Sequence, residues 1–281
     1  MDNYAKVRER AIIAARSVPP LPHKAVQVLR MLTMSDIDFG AVSKAIESDP
    51  VLTSRVLQVA NSSAFSRGGT IVSVRHAVPL LGVNALRRFA IGWSVLGVFT
   101  RLRMPKFWLH SEFLVHSTAT AMLSDELARA LHVRESDAAY VSGLIHDIGK
   151  LILAFYLPNE YFTVMHTQSM TGRPLRDCEM EAIGIDHAEL SGIAATQWKL
   201  PQPVCMAVQY HHTPLLDPTG GVPLSLLVSK ADGFVNSLGH SVIESEGLPD
   251  GVLDWPGCES QTNRALEAFR ASWPVSRLLV A

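Results

Sequence analysis

Apolar residues recur at three- and four-residue intervals along most of this chain, and strict alternation is nearly absent, Thr70 to Val74 being the one weak strand candidate. The pattern predicts an all-α fold. Tyr4, Val7, Ala11, Ala14 and Val18 share one helical face, which Pro19-Pro20-Leu21-Pro22 brings to an end. Ala25, Val28, Leu29 and Leu32 mark a second helix, and Phe39, Val42 and Ile46 a third that opens near Asp38. Asp49-Pro50 reads as a helix start, a carboxylate able to cap free amides followed by proline where a missing N–H costs nothing. Ser62 to Thr70 reads as a loop; Ser73 opens a short helix interrupted by Pro79 before Gly82, and Asn84 caps the next. Further helices are expected over Ser111–Leu131, from near Asp137 through Phe155, and over Asn159–Thr171, Arg176–Ile183, His187–Trp198, Val204–His211, Leu224–Leu238 and Gln261–Ala271.

The cluster Arg101, Arg103, Pro105 and Lys106 breaks the apolar pattern, so the chain divides into an N-terminal helical subdomain (1–105), a second helical subdomain (106–240) and a C-terminal loop and helix (241–281). At 281 residues and 48% hydrophobic content it can bury a substantial core. A formal charge of -1 gives no global attraction to DNA or to an anionic membrane. The longest uncharged apolar run, Phe89 to Thr100, falls short of the roughly 20 residues a membrane span needs, and the charged N-terminal residues show no signal-peptide core, which points to the cytoplasm. Cys178, Cys205 and Cys258 are too scattered for a disulfide framework or a thiolate zinc site.

The chemistry concentrates around Gly143–Leu151, where His146 and Asp147 interrupt an apolar run. Read as one helix, Val141, Leu144, Ile145, Ile148 and Ile152 make a buried stripe, and the imidazole and carboxylate leave it by roughly 100° per residue. Such a pair can ligate one divalent cation, or two if the carboxylate bridges, and Fe, Mn and Zn suit both donors. Lys150 lies one turn on from His146, placed to meet a phosphate or neutralise the aspartate. Glu112, His116, His187, His211, His212 and Asp232 each have an ordinary explanation as helix pairs, caps or edge residues. In order, however, they supply histidine, His-Asp, histidine, His-His and aspartate on separate predicted helices, as a metal centre inside a helical bundle requires. His23, His76, His110, His132, His166 and His240 show no such order.

Gly143-Leu144-Ile145-His146-Asp147-Ile148-Gly149-Lys150 resembles the signature of the HD superfamily of metal-dependent phosphohydrolases. Asp49 to Ser62, followed by Ile71 to Gly82, resembles the HDOD family of HD-related output domains in bacterial signalling proteins. The resemblance spans about Leu21 to Leu238 and implies an N-terminal helical bundle packed on an HD-like bundle. It implies a signal-transduction output or scaffold module without catalytic turnover, with signalling proteins as partners; the alternative is a metal-dependent phosphohydrolase acting on a phosphoester, nucleotide or cyclic dinucleotide. Glu112, His116, His146, Asp147, His187, His211, His212 and Asp232 fall where the related HD-GYP phosphodiesterases carry their metal-site residues, and Lys150 matches the motif lysine. In the enzyme reading Asp147 and Lys150 carry the chemistry, with one or two ions of Fe, Mn or Zn and His212 as a third-site ligand. Thr213 stands where those enzymes have glutamate, and Pro214 to Pro223 lacks their Gly-Tyr-Pro segment, which counts against cyclic-di-GMP hydrolysis. Arg87, Arg88, Arg101 and Arg103 are a candidate contact face on the N-terminal helices.

Overall fold

The computed structural model describes residues 2–19, 27–28, 31, 36–61, 69–99, 103–133, 136–239, 255 and 257–276. Among them the regular elements are helices and no strand forms; Thr70 to Ser73 is irregular chain leading into a helix at Val74. Much of the second expected helix, most of the 62–70 loop, residues 241–254 and 256 of the C-terminal loop, His23, His240, Arg101 and the side chains of Asn84, Arg87 and Arg88 lie outside the described residues. The chain divides into two compact units, Met1–Val18 with Arg103–Ala271, and Pro19–Leu102 with Ser272–Ala281.

The helix α1 (Asp2–Arg16) therefore groups with the later residues rather than with the 1–105 subdomain expected from sequence. Its apolar face, Ala11, Ala14 and Ala15, is buried, as is Val18 just beyond its end. Polar contacts explain its partner: the Tyr4 hydroxyl donates to the Met180 carbonyl at 2.6 Å, Arg8 to the Gly184 carbonyl at 3.0 Å, and Arg10 pairs with Glu160 at 2.7 Å.

In the unit Pro19–Leu102, α2 (Phe39–Glu47) and α3 (Pro50–Ala60) start where local chemistry dictates. Asp38 accepts the amides of Gly40 and Ala41 at 2.8 and 3.0 Å, and Asp49 those of Val51 and Leu52 at 2.9 and 3.1 Å, with Pro50 in the first turn. The following helix, α4 (Val74–Phe99), tolerates Pro79 inside it; the break falls instead at Gly82, whose φ of 74° and ψ of 167° suit glycine alone. Val42, Ile46, Leu52, Val56, Ile71, Val78 and Leu86 form the core. Asn61 closes the intervening loop by imitating a strand: its amide donates to the Ile71 carbonyl at 2.7 Å and its oxygen accepts the Ile71 amide at 2.6 Å. Replacing it strands two backbone groups, so Asn61→Ala is expected to cost about 1–3 kcal/mol, read as a lower urea midpoint at unchanged m-value.

The other unit packs α5 (His110–Ala130), α6 (Ser136–Ile145), α7 (Ile148–Tyr156), α8 (Pro158–Thr171), α9 (Leu175–Ala182), α10 (His187–Gln197), α11 (Gln202–Tyr210), α12 (Leu224–Ser237) and, as far as Ala271, α13 (Glu259–Ser276). Two glycines permit backbone-to-backbone approach. A Cβ on Gly143 would lie 2.7 Å from the Ala121 Cα, drawing α6 onto α5, and one on Gly149 would lie 2.0 Å from the His187 carbonyl oxygen, drawing α7 onto α10. Ala138–Tyr156 is long and apolar enough to cross a membrane by length and composition, but 78% of that window is buried inside the fold, as in a core segment.

Candidate metal centre

His116 lies in the middle of α5, His187 opens α10, His211 and His212 follow the last turn of α11, and Asp232 stands on α12. His146 and Asp147 occupy the turn between α6 and α7, which corrects the reading of Gly143–Leu151 as one helix. Asp147, at φ −99° and ψ 9°, takes the cap position of α7, and its carbonyl accepts the Lys150 amide at 2.9 Å. Residues 142–149 are buried throughout, so the apolar rhythm runs through the turn unbroken. Leaving the helix there lets Asp147 send its two carboxylate oxygens in different directions.

Each oxygen meets its own group of donors. Oδ2 lies 3.4 Å from His116 Nε2 and 3.3 Å from His146 Nε2. Asp232 Oδ1 completes that set at 3.1 Å from His116 Nε2 and 3.5 Å from His146 Nε2, while the two imidazole nitrogens are 3.2 Å apart. Oδ1 lies 3.3 Å from His187 Nε2 and 3.8 Å from His211 Nε2, and His212 joins this second set 2.8 Å from His187 Nε2. Four donors on a tetrahedron with bonds of about 2.0–2.1 Å stand roughly 3.3 Å from one another, so both sets have the dimensions of a metal cage.

The donors fit a cation by their hydrogen bonds as well as by their spacing. Backbone carbonyls take the far nitrogens of two rings, Gly143 that of His146 at 2.8 Å and Val208 that of His211 at 2.7 Å. Glu179 takes that of His187 at 2.7 Å. Each contact engages Nδ1 as a donor and turns Nε2 toward the centre, the usual arrangement behind a metal-bound histidine. Asp147 Oδ1 and His211 Nε2 are buried with no hydrogen-bond partner, and a divalent ion would satisfy both. Ser191 ties the halves together, its hydroxyl accepting the Gly149 amide at 2.9 Å and donating to the His187 carbonyl at 2.8 Å.

Residues 18–214 match the HDOD domain family. The chain belongs to the HDOD family. Among solved structures it is similar to an HDOD domain protein of Geobacter sulfurreducens, with 22% identity, 97% of each chain covered and a TM-score of 0.79. It is also similar to a proposed phosphohydrolase of Shewanella amazonensis, with 22% identity, 96% of this chain and 97% of that one covered, and a TM-score of 0.73. At these identities the likeness speaks for the fold. A curated protein of Treponema pallidum (strain Nichols) is 22% identical over 247 residues, 87% of this chain, and the chain spans 47% of its length.

Electrostatics in this HDOD centre follow from burial and contact. Burial opposes charge on every group, yet Asp147 and Asp232 outweigh it at His146, whose pKa rises to about 10, and their hydrogen bonds raise His116 too. Burial, then the His146 charge, pushes His211 down to about 3, and burial beside His211 and His187 pushes His212 well below the ordinary histidine range. Against the burial that would raise them, His146 and Lys150 hold Asp147, and His116 and His146 hold Asp232, well below the usual carboxylate range. Lys150 donates to Asp147 Oδ2 at 2.7 Å, and Asn236 to Asp232 Oδ1 at 3.0 Å.

Seven of the residues singled out from sequence as ligands therefore converge, and His212 joins the second set rather than a third. Glu112, half-buried one turn before His116, belongs to neither set. His76, His132 and His166 are exposed and His110 is half-buried, and none of them enters either set. Sequence reasoning missed Glu179, Ser191 and Asn236. A lone carboxylate, hydroxyl or amide on a helix carries no pattern of its own, and the nearest signal was Glu179 standing eight residues before a candidate ligand.

Proposed function

We propose that this chain is an HDOD signalling module that retains a dinuclear divalent-metal centre and uses it on a phosphoester. The observation that carries the reading is Asp147, whose two buried oxygens each face a separate cage of donors. Bound there, two cations would lower the pKa of a water and stabilise charge developing on a phosphate. The imidazole and carboxylate donors suit Fe, Mn or Zn. Asp147, Asp232 and Glu179 do not offset two divalent ions and the Lys150 ammonium, so the loaded centre attracts an anion. Lys150, with a side chain 15% exposed, and half-buried His212 form its open edge, where the ammonium can meet a phosphate oxygen.

A second reading, a signalling scaffold in which the cations only brace the fold, is favoured by one observation. His116, His146, Asp147, His187 and His211 are each no more than 1% exposed, which leaves a narrow approach for substrate. Anaerobic purification without a histidine tag, followed by elemental analysis and a phosphoester screen, separates the two. The expected result is about two equivalents of Fe, Mn or Zn and turnover that a chelator abolishes and metal restores. Two equivalents without turnover would select the scaffold, whose signalling partners a pull-down would then seek; no metal after reconstitution would overturn both readings.

A further inference from the structure

Glu179 has no part in either donor set, yet it is fully buried on α9, and its Oε2 accepts two N–H groups of one residue, the His187 backbone amide at 2.9 Å and Nδ1 at 2.7 Å. The contact differs in kind from those behind His146 and His211. Those rings lean on neutral carbonyls, and His187 leans on a carboxylate. Capping α10 does not account for it, since Asp186 already accepts the Glu189 amide at 2.8 Å and is held in place by Arg176 at 2.7 Å. The other oxygen, Oε1, is buried without a hydrogen-bond partner, as is the hydroxyl of Tyr161. Burial, then the charges of Glu179 and Asp147, pushes that phenol well above the ordinary tyrosine range, so Glu179 has a neutral hydroxyl within its field, and it pairs with His187.

We infer that Glu179 is the positioning residue of the second ligand set, fixing the His187 backbone and ring together and strengthening its Nε2 as a donor toward the cation shared with Asp147, His211 and His212. The inference rests on the dinuclear reading above. A carboxylate behind a histidine holds its tautomer and raises its basicity, and losing such a partner typically costs about 10–100-fold in metal affinity. The effect should stop at the second set, because both N–H groups that Glu179 accepts belong to His187, a donor of that set alone.

The discriminating change is Glu179→Gln, which keeps the volume and an oxygen able to accept both N–H groups while removing the charge. Metal-free protein is titrated with Co²⁺, followed by visible absorption and calorimetry, in two backgrounds: His116→Ala, which leaves the second set whole, and His187→Ala, which leaves the first. The expected result is a 10–100-fold loss of Co²⁺ affinity on adding Glu179→Gln to His116→Ala, no change on adding it to His187→Ala, and an unchanged metal-free Tm. Equal affinities in the first comparison, or equal losses in both, would overturn the assignment and leave Glu179 a packing residue. Wild-type protein that binds no Co²⁺ would overturn the dinuclear reading itself, and this assignment with it.

Discussion

Asp147→Asn is expected to empty both halves of the proposed metal centre at once, lowering the metal content from about two equivalents to none, whereas His116→Ala or His187→Ala should each leave one. The 2:1:0 pattern follows from geometry. Oδ2 and Oδ1 each belong to a different cage, so a neutral amide in their place removes the one anionic donor of the second set and half the carboxylate of the first. Asparagine preserves the volume and can still accept the Lys150 hydrogen bond, so the fold should survive. Alanine should give the same metal result and also destabilise. It leaves the Lys150 ammonium without the carboxylate 2.7 Å away, at a cost at or below the roughly 3–5 kcal/mol of a broken buried pair because the lysine is partly exposed. Elemental analysis beside urea unfolding reads both effects. One equivalent retained in Asp147→Asn would mean that the carboxylate does not bridge.

What the sequence made legible was local or chemical. The Asp38 and Asp49 caps could be read because a cap is decided within four residues, and the candidate donors that converge because histidine and aspartate on successive helices are few and ordered. What it hid depends on neighbours. The periodicity of α1 announces a buried face but not which helices bury it, and the turn at His146-Asp147 disappears into a stretch that is apolar on every side. Glu112 shows the converse error: its i, i+4 relation to His116 places it on the right face of α5, yet its carboxylate joins neither cage. Glycine is the plainest case, since the letter alone does not say whether a position needs a turn, a left-handed φ or simply room for another backbone.

Gly149 needs the room, and Gly149→Ala is expected to be the most disruptive added methyl among the described glycines. Its Cβ would sit 2.0 Å from the His187 carbonyl oxygen and 2.7 and 2.8 Å from the His187 carbonyl carbon and Cα, all of them backbone atoms that no rotamer change can move. Overpacking a core typically costs about 1–3 kcal/mol, and a clash with fixed backbone belongs at or above the top of that range. Relief requires α7 and α10 to move apart. That motion breaks the 2.9 Å bond from the Gly149 amide to Ser191 and carries Asp147 and His187, now 3.3 Å apart, away from each other. The second cation should therefore be lost before the protein unfolds, so Gly149→Ala at low urea should hold at most one equivalent of metal and then unfold about 3 kcal/mol early. Gly220→Ala is the control: a Cβ there has nothing within 4 Å, and it should change neither reading beyond about 0.5 kcal/mol. Were Gly149→Ala to keep two equivalents and its wild-type urea midpoint, the close approach of the two helices could not be what sets the geometry of the second cage.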